Sequence, residues 1–219
     1  GTSGTARHRI RSRHYHGSQL GRQLFSETEL GQGKATAAVT RVNRFFGTTW
    51  TAENCRYPVR KTQENRDDRT RPANIIITCT DNTRSRLELW RFLKKYREAS
   101  VNNERAVYYW MDFGNAQTTG QVFIGTVRNK IRQPASKEFM PVPGMNVITE
   151  EVNYSTIEEK DSGPSCSLAE ALERQDLYIN SILAQVGCDI LWKMFKEGRT
   201  LYRGAYINLD TLRVNPIPV

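Results

Sequence analysis

Three short segments of this chain carry side chains that could bind a nucleotide or a metal ion, or act as a nucleophile. The first is Asp81-Asn82, which directly follows the apolar, β-branched run of residues 75–79. Ligands of open parallel sheets bind outside the carboxyl ends of the strands, and a carboxylate there can hold Mg²⁺ on a polyphosphate. Asp81 could instead cap the helix that follows, and its position alone leaves both interpretations open.

The second segment supplies two cations, Arg22 in Gly21-Arg22-Gln23 and Lys34 at the end of a Gly31-x-x-Lys34 motif. Cations about a dozen residues apart could both contact phosphates, Arg through its planar fork and Lys as a point charge. Taken alone, such a pair is more commonly two solvated surface charges.

The third segment contains Cys166. The spacing of Ser167 and Glu170 is that of a capping box, so Cys166 would lie just before a helix N-terminus. The positive end of the helix dipole lowers the pKa of a thiol there and favours the reactive thiolate. An inert loop cysteine is the alternative. Cys188, beside Gly187 in a helical pattern, is predicted to be a small core residue.

The elements that must position these segments follow from hydrophobic periodicity. Ser26 and Glu29 have capping-box spacing, and Gly47 is a stop signal, so a helix is predicted between them. Its expected apolar face consists of Leu30, Ala38, Val42, Phe45 and Phe46.

Residues 75–79 predict a buried parallel strand, because the run is apolar on both faces. A helix of about fifteen residues should follow, with Leu87, Trp90 and Leu93 near one face. Two further strands are predicted over residues 106–112 and 121–127. This strand–helix–strand order argues for an α/β sheet.

The C-terminal half begins with residues 128–165, which have weak periodicity and predict a long crossover loop. A long helix is predicted from about 168 to 197 and should end at Gly198. Residues 202–209 and 212–217 are typical of a closing hairpin. The apolar face of the long helix should comprise Leu168, Leu172, Ile179, Leu183, Val186, Ile190 and Met194.

Composition limits the class of protein. The chain has 219 residues, 38% apolar and 25% charged, and a net charge of +9. Four arginines and all three histidines fall in residues 1–17, which we predict to be a disordered basic tail. No apolar run approaches the roughly 20 residues of a membrane span. Four cysteines without a C-x-x-C pair argue against structural zinc and favour free thiols in the cytoplasm.

In their order and spacing, these segments resemble the ThiF/MoeB family, the prokaryotic relatives of the ubiquitin-activating enzymes. The resemblance runs from about residue 18 to 219 and is carried by five motifs in sequence. The sequence over residues 110–125, 165–180 and 212–217 is similar to that of the ThiF proteins of PRTRC systems. The five motifs are residues 19–23 (QLGRQ), 31–34 (GQGK), 79–86 (CTDNTRSR), Gly120-Gln121 and Cys166.

The resemblance implies a Rossmann-like α/β domain that forms a homodimer and uses Mg²⁺ and ATP. Its partner would be a ubiquitin-like or sulfur-carrier-like small protein, whose C-terminal carboxylate attacks the α-phosphate of ATP. The products would be an acyl-adenylate and pyrophosphate.

The matching motifs indicate which residues of this chain correspond to the family's site residues. Arg22, with Gln23 beside it, and Lys34 would contact the nucleotide, and Asp81 would hold Mg²⁺. Asn82 and Arg86 would shape the site around them. In some family members a cysteine accepts the acyl group as a thioester, and Cys166 occupies that position here.

The N-terminal segment departs from the family pattern. Gly1-Thr2-Ser3-Gly4-Thr5 has no strand before it, residues 6–17 contain no acid that could bind a ribose, and Gln19 replaces the usual Asn. We therefore expect the family's glycine-rich unit to be truncated or misread upstream of Ser18. The same departure favours an alternative function, a catalytically inactive relative that binds a partner protein.

Nucleic-acid binding through the basic tail is a third and weaker alternative. Such binding would weaken steeply with salt. No stretch of interleaved aromatic and basic residues, of the kind that stacks bases, accompanies the tail. A redox role is weaker still, because the chain has no G-x-G-x-x-G motif.

Overall fold

The structure is a computed structural model that describes residues 26–53, 57, 73–97, 106–154 and 176–219. These residues fall into two compact units. The first contains a 3₁₀ turn at Glu27–Glu29 and helix α1 (Lys34–Phe46). The second contains a five-stranded sheet and the remaining helices. The predicted tail, residues 1–17, lies outside the described residues.

The predicted helix from Ser26 to Gly47 is interrupted. Ser26 and Glu29 do form a capping box, but it caps only the short 3₁₀ turn. Gly31 then has a φ of +80°, a left-handed conformation that breaks the helical path and that glycine adopts at little cost. Helix α1 starts only at Lys34, and Gly47 ends it as predicted, with a φ of +63°.

The predicted apolar face of this helix is wrong for Leu30, Phe45 and Phe46, which are exposed, whereas Ala38 and Val42 are half-buried. The buried residues of α1 are the small side chains Ala35, Ala37 and Val39, whereas Phe45 and Phe46 are 82% and 68% exposed. Tertiary packing covers the first two turns of α1 and leaves its last turn exposed, so the largest apolar side chains do not mark the buried side.

The sheet has the strand order β1-β2-β3-β4-β5. Strands β1 and β2 are parallel, and every later pair is antiparallel. All predicted strands are confirmed, including the closing hairpin β4–β5, with shifts of a few residues at their ends. The strands are β1 (Ile75–Thr78), β2 (Tyr109–Asn115), β3 (Thr119–Thr126), β4 (Tyr202–Asn208) and β5 (Arg213–Pro218).

Helix α2 (Thr83–Leu93) follows β1 directly, as predicted. It buries Trp90 and Leu93, and the indole of Trp90 stacks on that of Trp110 in β2 with ring centroids 6.1 Å apart. The expectation that β1 is buried on both faces holds for Ile76 but is wrong for Ile77, which is 42% exposed. Successive strand residues point to opposite faces of the sheet, so the face of β1 that carries Ile77 is partly open.

The segment after β3 begins with residues 127–147, which have no regular secondary structure, followed by the short helix α3 (Ile148–Glu151). This segment is anchored on the sheet. The backbone N–H of Thr126 donates to the carbonyl of Met145, and the N–H of Met145 donates to Thr126 Oγ1. Val147 and Ile148 are fully buried, so this end of the predicted crossover loop belongs to the core, whereas most of residues 129–146 are exposed.

Helix α4 (Ile179–Glu197) packs on the opposite face of the sheet from α2 and ends at Gly198 as predicted. Ile179, Leu183 and Ile190 are buried, which confirms that part of the predicted face. The start predicted near 168 is wrong, because residues 176–178 precede the helix and are not helical. Leu168 and Leu172 lie outside the described residues.

Cys188 is exposed, so its prediction as a core residue is wrong. Its neighbour Gly187 occupies the buried side of α4, where an added Cβ would lie 2.3 Å from Cζ of Phe113. Successive helical residues point about 100° apart, so Cys188 turns away from the sheet. No helix in the described part of the chain is long and apolar enough to cross a membrane.

Candidate active site

The Asp81-Asn82 pair lies where the sequence predicts it, immediately beyond the carboxyl end of β1 and at the start of α2. Asn82 is the N-cap of α2, since its Oδ1 accepts a 2.8 Å hydrogen bond from the N–H of Ser85. Its Nδ2 also donates to Asp81 Oδ1 at 3.1 Å. The capping role considered for Asp81 therefore belongs to Asn82, which at the same time orients the exposed Asp81 carboxylate.

A buried arginine lies directly beneath this pair. The Arg86 side chain projects from the first turns of α2 and is only 8% exposed. Its Nε donates to Asp112 Oδ2 at 2.7 Å, and its Nη2 donates to the carbonyls of Thr80 and Phe113 at 2.7 and 2.9 Å. Arg86 thus ties together the backbone segments that follow β1 and end β2.

Asp112 accepts hydrogen bonds on both of its carboxylate oxygens. Arg86 occupies Oδ2, and the hydroxyl of Thr78 donates to Oδ1 at 2.6 Å. Trp110 Nε1 donates to the same Thr78 hydroxyl at 2.7 Å, which directs the hydroxyl proton towards Asp112. Burial raises the pKa of Asp112, and the charge of Arg86 and the two hydrogen bonds oppose that rise.

Glycine at position 114 makes room for this network. An added Cβ there would lie 2.4 Å from Nε2 of Gln121 and 3.1 Å from Nη2 of Arg86. Gln121 is the second residue of the Gly120-Gln121 motif, and its partner across the β2–β3 ladder is Gly114. Gly120 serves the other face, where a Cβ would lie 2.6 Å from Leu183 of α4. The two residues of the motif therefore contact opposite sides of the sheet: Gln121 lies on the side of the Arg86 network, and Gly120 leaves room for α4.

Two hydroxyls at the site are buried without a hydrogen-bond partner in the part of the chain that the structure describes: Thr80 Oγ1 and the phenol of Tyr154. Burial raises the pKa of Tyr154 to about 12, with smaller electrostatic effects of Arg86 and Asp112. Tyr154 is therefore protonated at neutral pH and can act as a hydrogen-bond donor.

Cys79 also adjoins the network, at the end of β1. Although the residue is exposed, desolvation of its thiol and the charge of Asp112 raise its pKa to about 11, against an opposing effect of Arg86. Thiolate is the nucleophilic form of cysteine, so Cys79 is a poor nucleophile at neutral pH.

The structure thus brings together Asp81, Asn82 and Arg86. Lys34, the first residue of α1, is half-buried and belongs to the other compact unit. The predictions for Arg22, Gln23 and Cys166 concern residues outside those described. The roles assigned to all seven side chains remain predictions.

Sequence reasoning did not identify Asp112, Thr78 or Tyr154 as site residues. One signal was present for Asp112, which is a single acid inside the apolar run of residues 107–113. Fully buried acids are rare unless they are paired. Tyr154 is close enough to Arg86 and Asp112 for their charges to influence its pKa, and the sequence carries no local signal for that proximity.

No group of three or more His, Cys, Asp or Glu side chains that could hold a metal ion occurs in the described residues. A site for Mg²⁺ does not require one, because this ion is commonly bound by one or two carboxylates together with substrate phosphates and water. The exposed Asp81 carboxylate fits that mode of binding.

No protein-family model and no curated protein matches the sequence. Solved structures do share its fold. E. coli MccB with MccA-N7isoASN is 10% identical with a TM-score of 0.54, covering 97% of this chain and 56% of MccB. MccB with succinimide is 13% identical with a TM-score of 0.55, covering 99% and 56%. PaaA is 10% identical with a TM-score of 0.56, covering 95% and 62%.

The chain therefore spans about three-fifths of the length of these structures, which are Rossmann-like proteins of the ThiF/MoeB type. A sequence identity of 10–13% supports a shared fold and nothing further. The chain has a mixed α/β fold of the Rossmann-like ThiF/MoeB type.

Proposed function

We propose that this chain activates the C-terminal carboxylate of a small ubiquitin-like or sulfur-carrier-like protein by ATP-dependent adenylation. One observation carries the proposal: an exposed carboxylate, Asp81, stands at the carboxyl end of a parallel strand and is oriented by Asn82. The likeness of the fold to MccB, which was solved together with MccA-N7isoASN, supports the same proposal.

In the proposed reaction, an oxygen of the substrate carboxylate attacks the α-phosphorus of ATP. The bond to the bridging oxygen of the β-phosphate breaks, and pyrophosphate leaves with the electron pair. Catalysis of such a transfer rests mainly on positioning and charge neutralisation. Mg²⁺, when bound, would neutralise charge on the phosphates.

The roles of the side chains follow from that requirement. Asp81 would hold Mg²⁺ together with phosphate oxygens, and Asn82 would orient the Asp81 carboxylate. Arg22 and Lys34 would contact phosphates, with Gln23 beside them. If a thioester follows, the Cys166 sulfur attacks the acyl carbon, its proton passes to solvent, and AMP leaves.

Two further properties belong to this proposal through the family resemblance. We propose that the chain works as a homodimer and that it acts in the cytoplasm. A sedimentation measurement on the full chain, which should give twice the 25.2 kDa mass, tests the first.

Titration of the full 219-residue chain with Mg·ATP tests the function. We expect saturable binding by the wild type and its loss in Asp81→Ala. Asp189→Ala is the matched control, because Asp189 is an exposed carboxylate that forms an ion pair within α4, with Lys193, and binding should persist. Asn82→Ser, which retains an N-cap residue, should weaken binding without unfolding α2.

A folded wild-type chain that binds no Mg·ATP would contradict the proposal. The alternative, a partner-binding relative without turnover, would then take its place. It is favoured by the absence of an acid from residues 6–17, where the family has its ribose-binding side chain.

A further inference from the structure

Asp112 takes no part in the chemistry proposed above, yet it is the best enclosed charged group at the site. Its side chain is 1% exposed and that of Arg86 is 8% exposed. Removing two charges from water carries a large desolvation cost, and a well-packed apolar pair of similar volume often gives equal or greater stability. Stability alone is therefore a weak explanation for a charge pair at this position.

The geometry offers a more specific explanation. The β1–β2 ladder ends at the Thr78–Asp112 pair. Beyond this pair, the segment that follows β1 carries Asp81, and β2 continues with Phe113. Nη2 of Arg86 bridges the gap by donating to the carbonyls of Thr80 and Phe113. The bridge holds the peptide that directly precedes Asp81.

Asp112 in turn fixes the bridge. A guanidinium on a flexible side chain reaches two carbonyls at once only if its plane is held, and the hydrogen bond from Nε to Asp112 Oδ2 holds it. The carboxylate cannot turn away, because Thr78, itself held by Trp110, donates to its other oxygen. The chain of contacts therefore runs from the core of the sheet to the backbone at Thr80.

We propose that Asp112 is a positioning residue for the Asp81 carboxylate and acts through Arg86. One part of this proposal, the effect of Asp112 on Mg²⁺ binding, rests on the function proposed above. Its structural content, that Asp112 fixes the backbone of residues 80–82, does not depend on that function. Asp112 itself contacts neither metal nor nucleotide.

The test compares Asp112→Asn with Met111→Ala in the full chain. Asparagine preserves the shape of the side chain but removes the charge that holds Arg86. Met111 is the adjacent residue on β2, is equally buried and faces the apolar cluster under α4. Its truncation controls for a general loss of stability without disturbing the Arg86 bridge.

Two readouts separate positioning from stability. We expect amide hydrogen exchange in residues 80–85 to accelerate about tenfold or more in Asp112→Asn, and not in Met111→Ala at matched global stability. We also expect the apparent Mg²⁺ affinity at saturating ATP to fall about 10- to 100-fold in Asp112→Asn alone, the usual range for loss of a group that orients a metal ligand.

The exchange experiment needs no nucleotide, so failure of the proposed function and failure of this inference are distinguishable. Unchanged exchange in residues 80–85 of Asp112→Asn overturns the positioning role, whatever happens to Mg²⁺ affinity. Equal acceleration in Met111→Ala overturns it as well. If Asp112→Asn does not fold, Thr78→Val provides the same test, with a smaller acceleration expected because it loosens the carboxylate while keeping the charge.

Discussion

Strand β2 presents alternate side chains to two very different environments. Towards α2 it presents Trp110 and Asp112, which belong to a hydrogen-bonded network with Arg86. Towards α4 it presents Met111, which lies in an apolar cluster with Ile124 and other buried aliphatic residues. Trp110 and Asp112 are buried on the first face and Met111 on the second, where Tyr109 and Phe113 are only half-buried. A hydrogen bond from Asn115 Nδ2 to Asn180 Oδ1 joins β2 to α4, but the charge-assisted hydrogen bonds described for β2 lie on the first face.

The difference teaches what each face contributes. Apolar packing is non-directional and roughly proportional to buried area, so the apolar cluster around Met111 holds α4 without setting the position of particular atoms. Charge-assisted hydrogen bonds set positions and angles, so the α2 face fixes the backbone at Thr80 and Phe113. The candidate site adjoins the α2 face, where these hydrogen bonds lie.

The largest expected effect comes from breaking the network at Arg86. Arg86→Met leaves the Asp112 carboxylate buried and unpaired, which should reduce the free energy of unfolding by about 3–5 kcal/mol. Urea denaturation measures the loss. The double variant Arg86→Met/Asp112→Leu should recover most of it, because it removes both charges. A double variant no more stable than the single one would contradict this view of the polar face.

Truncation on the apolar face should cost somewhat less. Met111→Ala removes a fully buried side chain from the α4 cluster and should lower the free energy of unfolding by about 2–5 kcal/mol, through lost burial and a residual cavity. Urea denaturation again gives the value. Replacement by Leu should cost less than about 1.5 kcal/mol. A comparable loss with Leu would indicate a directional requirement on this face too.

Thiol reactivity tests the electrostatics of the polar face. The raised pKa of Cys79, about 11 against an ordinary 9.0, lowers its thiolate fraction at pH 8 about 100-fold. In a variant whose other three cysteines are serine, iodoacetamide should alkylate Cys79 about 100 times more slowly in the native than in the urea-unfolded protein. Equal rates would show that neither burial nor the charge of Asp112 raises the pKa of this thiol.

The smallest effect is expected for the ion pair between α3 and β4, in which Arg203 Nη2 donates to Glu151 Oε1 at 2.9 Å. This hydrogen bond lowers the pKa of Glu151 below its ordinary 4.5. Its stabilisation is therefore present above pH 4.5 and lost as the pH falls through the lowered value. Glu151→Gln should cost less than about 1 kcal/mol at pH 7.

Urea denaturation at pH 7 and at pH 3 measures that difference. The gap between wild type and Glu151→Gln should close at the lower pH. A gap that widens on acidification would reverse the assigned direction of the pKa shift.

Several features of the fold could be predicted from sequence because their signals are local. The β-branched run of residues 75–79 gave β1, and its position before Asp81-Asn82 gave the strand-to-helix turn. Periodicity gave α2 and the last two-thirds of the long helix, and the spacing of turn residues gave the closing hairpin. The resemblance to ThiF/MoeB proteins added the fold type, which the solved neighbours share.

Predictions failed where burial depends on distant partners. The phase of α1 was assigned from Phe45 and Phe46, but the packing of its first two turns selects Ala35, Ala37 and Val39. Cys188 was assigned to the core because small residues in apolar helices are usually buried, whereas Gly187 takes that position against Phe113. Neither outcome is encoded within one helical turn.

The sequence by itself determined the strands, the helix after β1 and the placement of Asp81-Asn82 between them, because short-range periodicity and capping fix these features. Only the tertiary structure decided that Arg86 reaches Asp112, 26 positions away. Burial of a charge is stable only when a partner meets it in space. That partner is chosen by the pairing of β1 with β2, which no local pattern specifies.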